Sequence, residues 1–417
     1  MTAAETEPKE ISKRELRVLA AIGAATMLVM FSVAEVGARW RWPEQEINSC
    51  FERELGERFR AKANCSTRIK NAEGEWTVMQ YNKCGYRSTH DCGPKPVGTR
   101  RIVLMGTSVA EGLFVAADQH FSARLEKSLS AKCGGPVEVQ NLGALSVAAQ
   151  KQWQLIPEAK ALKPDAVVMA MAPFDLLSFA APKRRLAGAN TPQTKVATSD
   201  SVSNSADAFD SVARGAASTV PQTSSQASEP PTPTPTAASE KSKASLFARL
   251  RKQVRESRAL IMAQHFLLQD DAYFFRAYKL GNDDDALSVP TSSTYKNHYA
   301  GLEAHLVVFG RQFNADSIPF FFVPLPNRIQ AALLSDKVEL PNTDPLAYIR
   351  AVKAAGVYAG IGVVDMFSSF AATPDASHLF YAVDGHPGGE ASALVAEAIE
   401  QELLRSAPAF ASCHAGN

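Results

Sequence analysis

Short apolar runs alternate with amphipathic stretches beyond residue 100, and this alternation limits the possible folds more than any other feature of the chain. Three runs have the length and side chains of buried strands and lie at 101–105, 137–141 and 166–170. Between the first two, Phe121, Leu125 and Leu129 recur with the spacing of one helix face. Strands and helices in this order predict a mostly parallel sheet covered on both faces by helices.

The alternation is interrupted over residues 183–245. This stretch is rich in Ser, Thr, Ala and Pro, and its few apolar side chains predict a disordered insert. Further strands are predicted at 318–326 and 361–366. Helices are predicted at 118–132, 147–162, 246–266, 299–312, 345–358 and 388–404. We therefore predict one three-layer α/β/α sandwich with a flavodoxin-like sheet, formed by residues 98–182 and 246–408 and followed by a tail at 409–417.

The N-terminal part of the chain is apolar in a different way. From Val18 to Ala34 it carries no charged side chain, and Lys and Arg residues precede this stretch. Its length and flanks predict a transmembrane anchor over 18–38 with a cytoplasmic tail at 1–17. A cleaved signal peptide is the alternative, because Val36-Gly37-Ala38 ends in small residues as a cleavage site does.

All six cysteines follow the apolar stretch, and four of them lie in the polar segment 43–97. An even number of cysteines beyond an export signal is typical of a disulfide-bonded domain in the periplasm or outside the cell. Cys84–Cys92 is the one pairing that we suggest, as a small local loop. The spacings match no zinc site, so we expect no metal and no cofactor.

The charges of the chain are balanced, with 44 basic residues, 43 acidic residues and a formal net charge of +1. No long basic run departs from this balance. Nucleic acid is therefore not an expected partner, whereas the membrane is expected to be one through the N-terminal helix.

Ser108 directly follows the first predicted strand and precedes a helix. In a parallel sheet the C-terminal strand ends carry the ligand sites, and a helix start directs N–H groups toward such a serine. A nucleophilic serine needs a base within hydrogen-bond reach and a carboxylate that orients the base. Asp384 and His386 supply both groups, in a loop that can return to the same edge of the sheet.

Four segments resemble, in order, sequence blocks of the SGNH (GDSL-like) hydrolase and acyltransferase family. They are IVLMGTSVAEGLFVAADQHFSARLEKSL for the first block, VEVQNLGALSVAAQ for the second, PDAVVMAMAPFDLL for the third and VDGHPGGEASALVAEAI for the fifth. The resemblance covers roughly residues 80–180 and 290–405. It implies a membrane-anchored, exported member of the family.

The resemblance also implies roles for particular residues. Ser108 would attack an ester carbonyl, His386 would act as the base, and Asp384 would orient the imidazole. The backbone N–H groups of Ser108 and Gly143 would stabilise the oxyanion. The implied activity is hydrolysis or transfer of an acyl group on an envelope carbohydrate or a similar ester. Acetyl is the acyl group that we expect first.

The chain departs from the family pattern at three positions. Thr107 replaces an aspartate beside the nucleophile, and only one residue separates Asp384 from His386. The oxyanion asparagine is replaced by Phe174, and loss of such a donor costs about 2.7–4 kcal/mol of transition-state stabilisation. Two nearby residues are further candidates for the site, Asn141 and Asp175.

These departures leave a second hypothesis open, in which the chain is a catalytically degenerate SGNH fold that binds or assembles envelope components. Under that hypothesis Ser108 is a helix N-cap, Gly143 is a turn glycine and His386 is a structural loop histidine. The complete set of Ser108, Asp384 and His386 favours the enzyme.

Overall fold

The computed structural model describes residues 12–41, 50–53, 59–71, 73–144, 148–179, 257–281 and 284–414. The insert predicted at 183–245 lies outside these residues, as does most of the predicted cytoplasmic tail. The chain divides into two compact units, one formed by 1–45 with 223–266 and the other by 46–222 with 267–417. Each unit is described by itself.

The first unit contains the N-terminal helix α1, Lys13–Arg41. An 18-residue window of this helix has a mean hydropathy of 2.0, and none of the window is buried inside the protein. By length and composition α1 is therefore able to cross a membrane, and a signal sequence at the N-terminus has the same properties.

The second unit begins with two small antiparallel hairpins in the polar, cysteine-containing segment. One pairs β1 (Phe51–Arg53) with β2 (Phe59–Ala61), and the other pairs β3 (Ser66–Lys70) with β4 (Trp76–Gln80). Alternate residues of β4 are buried and exposed, so this hairpin covers the domain with one face only.

A parallel sheet forms the centre of the second unit. Its described strands are β5 (Arg100–Gly106), β6 (Val137–Asn141), β7 (Ala166–Met171), β8 (Phe320–Pro324) and β9 (Gly362–Val363). They lie in the order β6-β5-β7-β8-β9, and every neighbouring pair is parallel. Because β5 has β6 on one side and β7 on the other, the strand order reverses at β5, and this creates a crevice at its C-terminal end.

Helices cover both faces of this sheet. The remaining helices are α2 (Ser108–Glu111), α3 (Phe121–Cys133), α4 (Ile156–Ala161), α5 (Arg258–Leu268), α6 (Asp271–Gly281), α7 (Ser293–Asn314), α8 (Arg328–Ser335), α9 (Ala347–Ala359), α10 (Met366–Ala371), α11 (Gly389–Ser406) and α12 (Pro408–Ala411). Ile102 and Leu104 of β5 share a core with α3 and α11, whereas Val103 and Met105 share a core with α7 and α9. The predicted three-layer α/β/α class is confirmed.

Some predicted elements differ in length from the observed ones. The helix predicted at 147–162 is a 3₁₀ segment, Ala149–Leu155, followed by the short α4. Pro157 lies in the first turn of α4, where no intrahelical hydrogen bond needs its missing N–H. Its ring would clash with an α-helical turn before it, so the α-helix cannot begin earlier in the chain. The strand predicted at 361–366 is shorter because Asp365 caps the start of α10 by accepting a hydrogen bond from Ser368 N.

The six cysteines form three disulfide bonds. Cys50–Cys65 precedes β3, and Cys84–Cys92 closes the small loop suggested by the sequence. Cys133–Cys413 joins the end of α3 to the C-terminal 3₁₀ turn across 280 residues of sequence. Three disulfides fit a periplasmic or extracellular domain.

Candidate functional site

Ser108 lies at the crevice where the strand order reverses. β5 ends at Gly106, and α2 begins at Ser108. Gly106 has φ +136, and a Cβ there would lie 2.2 Å from the carbonyl oxygen of Ala170, so only glycine allows this close turn beside β7. Thr107, not Ser108, occupies the N-cap position of α2, which removes the helix-cap interpretation of Ser108.

The loop before α11 brings His386 and Asp384 to the same edge of the sheet. The Ser108 hydroxyl donates to His386 Nε2 over 2.9 Å, and His386 Nδ1 donates to Asp384 Oδ1 over 2.5 Å. Ser108 and His386 are only 0% and 2% exposed. The structure therefore assembles all three predicted residues into one chain of hydrogen bonds from positions 278 residues apart.

The ionisation of Asp384 decides which nitrogen of His386 carries a proton. Burial raises the pKa of Asp384, but the charge of His386, the hydrogen bonds from its ring and backbone, and the Asn71 amide together hold the pKa below its ordinary value. A carboxylate can only accept, so His386 Nδ1 carries the hydrogen and Nε2 is left as an acceptor for the Ser108 hydroxyl. This is the arrangement in which a serine is activated by a base.

The two predicted oxyanion donors differ in what they contact. The Ser108 N–H lies in the first turn of α2, where no intrahelical carbonyl is in reach, and the Thr107 side chain makes no capping bond. The Gly143 N–H donates to Asn141 Oδ1 over 2.9 Å, while Asn141 Nδ2 donates to the carbonyl of Ala110 over 2.7 Å. Asn141 thus holds the Gly143 loop beside α2, and the roles of Gly143 and Asn141 in oxyanion binding stay predictions.

Phe174, where the SGNH resemblance leads us to expect an asparagine, lies in the 3₁₀ turn Pro173–Ser178, which follows β7. Its ring centroid lies 5.9 Å from that of His386, and Phe114 approaches the same imidazole at 5.9 Å and at right angles. The base is therefore flanked by two phenyl rings, and Phe174 brings no hydrogen-bond donor to the site.

Asp175 connects the nucleophile turn to the end of β7. Its carboxylate accepts from Thr107 Oγ1 over 3.1 Å and from Ala172 N over 2.9 Å. Burial raises the pKa of Asp175 to about 6, although both hydrogen bonds and His386 oppose the shift. The unusual Thr107 therefore acts as a donor to a buried acid, and an aspartate there would place two carboxyl groups in contact.

A buried polar cluster supports the turn after α2. No role was predicted for its residues from the sequence. Arg87 donates to the carbonyls of Glu111, Gly112 and Val115, and Tyr81 donates to the Glu111 carboxylate over 2.5 Å. Burial lowers the pKa of the Arg87 side chain below its ordinary value, although the charge of Glu111 acts in the opposite direction. No local pattern around Arg87 in the sequence predicts this contact.

Comparison with known proteins adds distant likenesses. No protein-family model matches the chain, and no curated protein is significantly similar to it. A lipase/acylhydrolase from Enterococcus faecalis aligns with a TM-score of 0.37 at 12% identity, covering 73% of this chain and 95% of its own. TesA aligns with a TM-score of 0.37 at 11% identity, covering 73% of this chain and 98% of its own. A lipase from a goat rumen metagenome aligns with a TM-score of 0.30 at 8% identity, covering 72% of this chain and 96% of its own. Likeness at this level assigns no activity.

Proposed function

We propose that the protein is a serine-dependent ester hydrolase or O-acyltransferase that works through an acyl-enzyme. The observation that carries this proposal is the hydrogen-bonded series Ser108–His386–Asp384 at the crevice of a parallel sheet. A structural serine or histidine does not require a carboxylate behind it whose pKa is held below its ordinary value. A nucleophile and its base do require one.

The geometry defines the order of proton transfers. Ser108 Oγ attacks the ester carbonyl as His386 Nε2 takes its proton, and Asp384 stabilises the imidazolium that forms. Collapse of the tetrahedral intermediate breaks the ester bond, and the same proton passes to the leaving alcohol. The acceptor, either water or a sugar hydroxyl, then gives its proton to His386 and attacks the acyl carbon, and Ser108 regains the proton when its bond to the acyl group breaks.

Oxyanion binding falls first to the Ser108 N–H in this mechanism. The Gly143 N–H becomes a second donor when Asn141 Oδ1 shares or releases it, because the two groups are now bonded to each other. The family pattern has an asparagine as a third oxyanion donor, and Phe174 stands in its place. The enzyme therefore has fewer preorganised donors, and its turnover is expected to be slow.

The proposed setting is the outer side of a membrane. An apolar helix at the N-terminus and three disulfides support a catalytic domain held outside the cytoplasm, with 18–38 as anchor and 1–17 inside. Within this proposal, 98–182 and 246–408 form one domain that is interrupted in sequence by the insert at 183–245. An acylated envelope carbohydrate, with acetyl as the acyl group, is the substrate class that fits this position.

Acylation of the full chain tests the function without knowledge of the natural donor. The full chain in detergent is incubated with p-nitrophenyl acetate, quenched with acid and digested, and we expect one acetyl group on the peptide that contains Ser108. Addition of a methyl glycoside then separates the two activities, since a transferase yields acetylated sugar and a hydrolase yields acetate. A folded chain that releases p-nitrophenol no faster than buffer and never carries acetyl on Ser108 contradicts the proposal.

The alternative is a degenerate member of the fold that binds envelope components without turnover. Two observations favour it, the phenylalanine in place of the oxyanion asparagine and the Gly143 N–H that is already bonded to Asn141. Absence of acetyl-Ser108 in a folded chain would move this alternative to first place.

Restoring the asparagine at position 174 should raise activity. In Phe174→Asn a side-chain amide stands beside His386 where the phenyl ring is now, and we expect kcat for acetyl ester hydrolysis to rise about tenfold or more, below the 10²–10³-fold of a fully preorganised donor. Phe174→Leu is the matched control, because it removes the ring without adding a donor. Equal gains in both variants would attribute the effect to access, and no gain in Phe174→Asn would mean that the missing donor is not limiting.

A further inference from the structure

The turn of the β3–β4 hairpin lies against the loop that carries Asp384. The Glu73 carboxylate in this turn accepts the N–H of Val383 over 2.8 Å and the N–H of Asp384 over 2.8 Å through Oε1. Its Oε2 accepts from Val383 N as well, over 3.1 Å. Two consecutive backbone donors of the acid loop are thus held by one side chain from a segment more than 300 residues earlier.

Asn71 fixes the same turn from its other side. Asn71 is 1% exposed, and its Oδ1 accepts from Glu73 N over 3.0 Å. Its Nδ2 has no acceptor within hydrogen-bond distance among the described residues, yet it is near enough to Asp384 to contribute to the low pKa of that carboxyl. The Glu73 carboxylate therefore contacts the Asp384 loop directly, and Asn71 holds the backbone of Glu73.

Packing holds the turn in this place. A Cβ on Gly74 would lie 2.7 Å from the Tyr381 ring, so the turn and the start of the acid loop are in direct contact. The Tyr381 hydroxyl and Thr77 Oγ1 both donate to the carbonyl of Phe114 over 3.2 Å. These contacts tie the hairpin, the acid loop and the residue that flanks His386 into one unit.

Asp384 needs such support because of its spacing from His386. With a single residue between them, Asp384 Oδ1 accepts both the backbone N–H of His386, over 3.2 Å, and its ring Nδ1–H, over 2.5 Å. A small rotation of the Asp384 backbone would therefore break the contact with the ring. The two hydrogen bonds from Val383 and Asp384 to Glu73 oppose that rotation.

We propose that Glu73 is a positioning residue for the Asp384–His386 pair, and that the β3–β4 hairpin thereby completes the active site. The proposal rests on the proposed function for its effect on rate, but not for its effect on the hydrogen bond between His386 and Asp384. Glu73 touches no reacting atom and acts only through the backbone of the acid loop.

Three variants of the full chain in detergent test the proposal. Glu73→Ala removes both acceptors, Glu73→Gln keeps Oε1 as an acceptor and removes the charge, and Glu75→Ala removes the exposed neighbouring carboxylate of the same turn as a control. The first readout is the downfield proton NMR signal of the His386 Nδ1–H, assigned by its absence in His386→Gln. The second is the rate of labelling by a fluorophosphonate probe, with melting temperature as the check on folding.

We expect Glu73→Ala to lose the Nδ1–H signal and to label up to about 10²-fold more slowly, as for a misplaced catalytic group. Glu73→Gln should retain the signal and most of the rate, and Glu75→Ala should match the unmodified chain. A retained signal and rate in folded Glu73→Ala would overturn the proposal, and so would a Glu73→Gln as defective as Glu73→Ala. If the unmodified chain shows the signal but never labels, the proposed function fails while the signal still decides the role of Glu73.

Discussion

We expect full-length protein carrying Ser108→Ala to take up no fluorophosphonate probe, and we expect its kcat for ester hydrolysis to fall by about 10⁴-fold or more, because a member of the proposed triad is removed. The reason is that Ser108 Oγ is the only atom in the proposed mechanism that becomes bonded to the probe or to the acyl group. His386→Ala gives a comparable loss, because the hydroxyl then has no base at 2.9 Å to take its proton. The measurement is in-gel fluorescence of the labelled chain, together with initial rates.

Two controls make this result specific. Ser392→Ala removes another buried serine that lines the cavity beside His386, and it should label like the unmodified chain. The double variant Ser108→Ala/His386→Ala should be no slower than either single variant, because residues that act as a unit are not additive. Labelling that survives in His386→Ala at the full rate would contradict the assignment of His386 as the base.

Removal of the Cys133–Cys413 disulfide should cause the largest loss of stability. Its sulfurs join positions 280 residues apart, and the loop-entropy relation gives about 5.6 kcal/mol for a closed loop of this length, against about 2.5 kcal/mol for the eight-residue loop of Cys84–Cys92. We expect Cys133→Ala/Cys413→Ala to lower the free energy of unfolding by roughly twice as much as Cys84→Ala/Cys92→Ala. Guanidinium unfolding of both variants under oxidising conditions measures the difference.

The location of the bond explains why this loss falls on the unit that contains the parallel sheet. Cys133 ends α3 and Cys413 lies just beyond α12, and both belong to the core on the α3 and α11 face of the sheet. Addition of a reductant to the unmodified chain breaks all three disulfides, so its loss of stability should exceed that of Cys133→Ala/Cys413→Ala. A smaller effect from this pair than from the Cys84–Cys92 pair would contradict the loop-entropy argument for this protein.

The alternation of strands and helices could be predicted from the sequence because it depends on the hydrophobic periodicity of short segments. The run at 101–105 is buried on both faces in a parallel sheet, so it is continuously apolar, and the observed β5 extends it by one residue at each end. Helix boundaries were less readable, since they depend on single side chains. Ser292 extends the helix predicted at 299–312 back to residue 293 by accepting a hydrogen bond from Tyr295 N.

The support of the site was not readable from the sequence. Glu73 and Arg87 lie in a polar segment without periodicity, and nothing in their neighbours distinguishes them from exposed charges. Each acquires its role only when the chain brings it against backbone groups far away, Val383 and Asp384 for the first and Glu111 to Val115 for the second. Likewise, the sequence placed Gly143 near the nucleophile but not its hydrogen bond to Asn141.

By itself, the amino-acid sequence determined the α/β class, the apolar N-terminal helix and the three residues that lie in one hydrogen-bonded series. These follow from hydrophobic periodicity and from residue types at strand ends, which are properties of short segments. The tertiary structure alone decided the distances among Ser108, His386 and Asp384, the pairings Cys50–Cys65 and Cys133–Cys413, and the contact of Glu73 with the acid loop. Each of these joins segments distant along the chain, and such contacts depend on the packing of the whole domain and not on any local pattern.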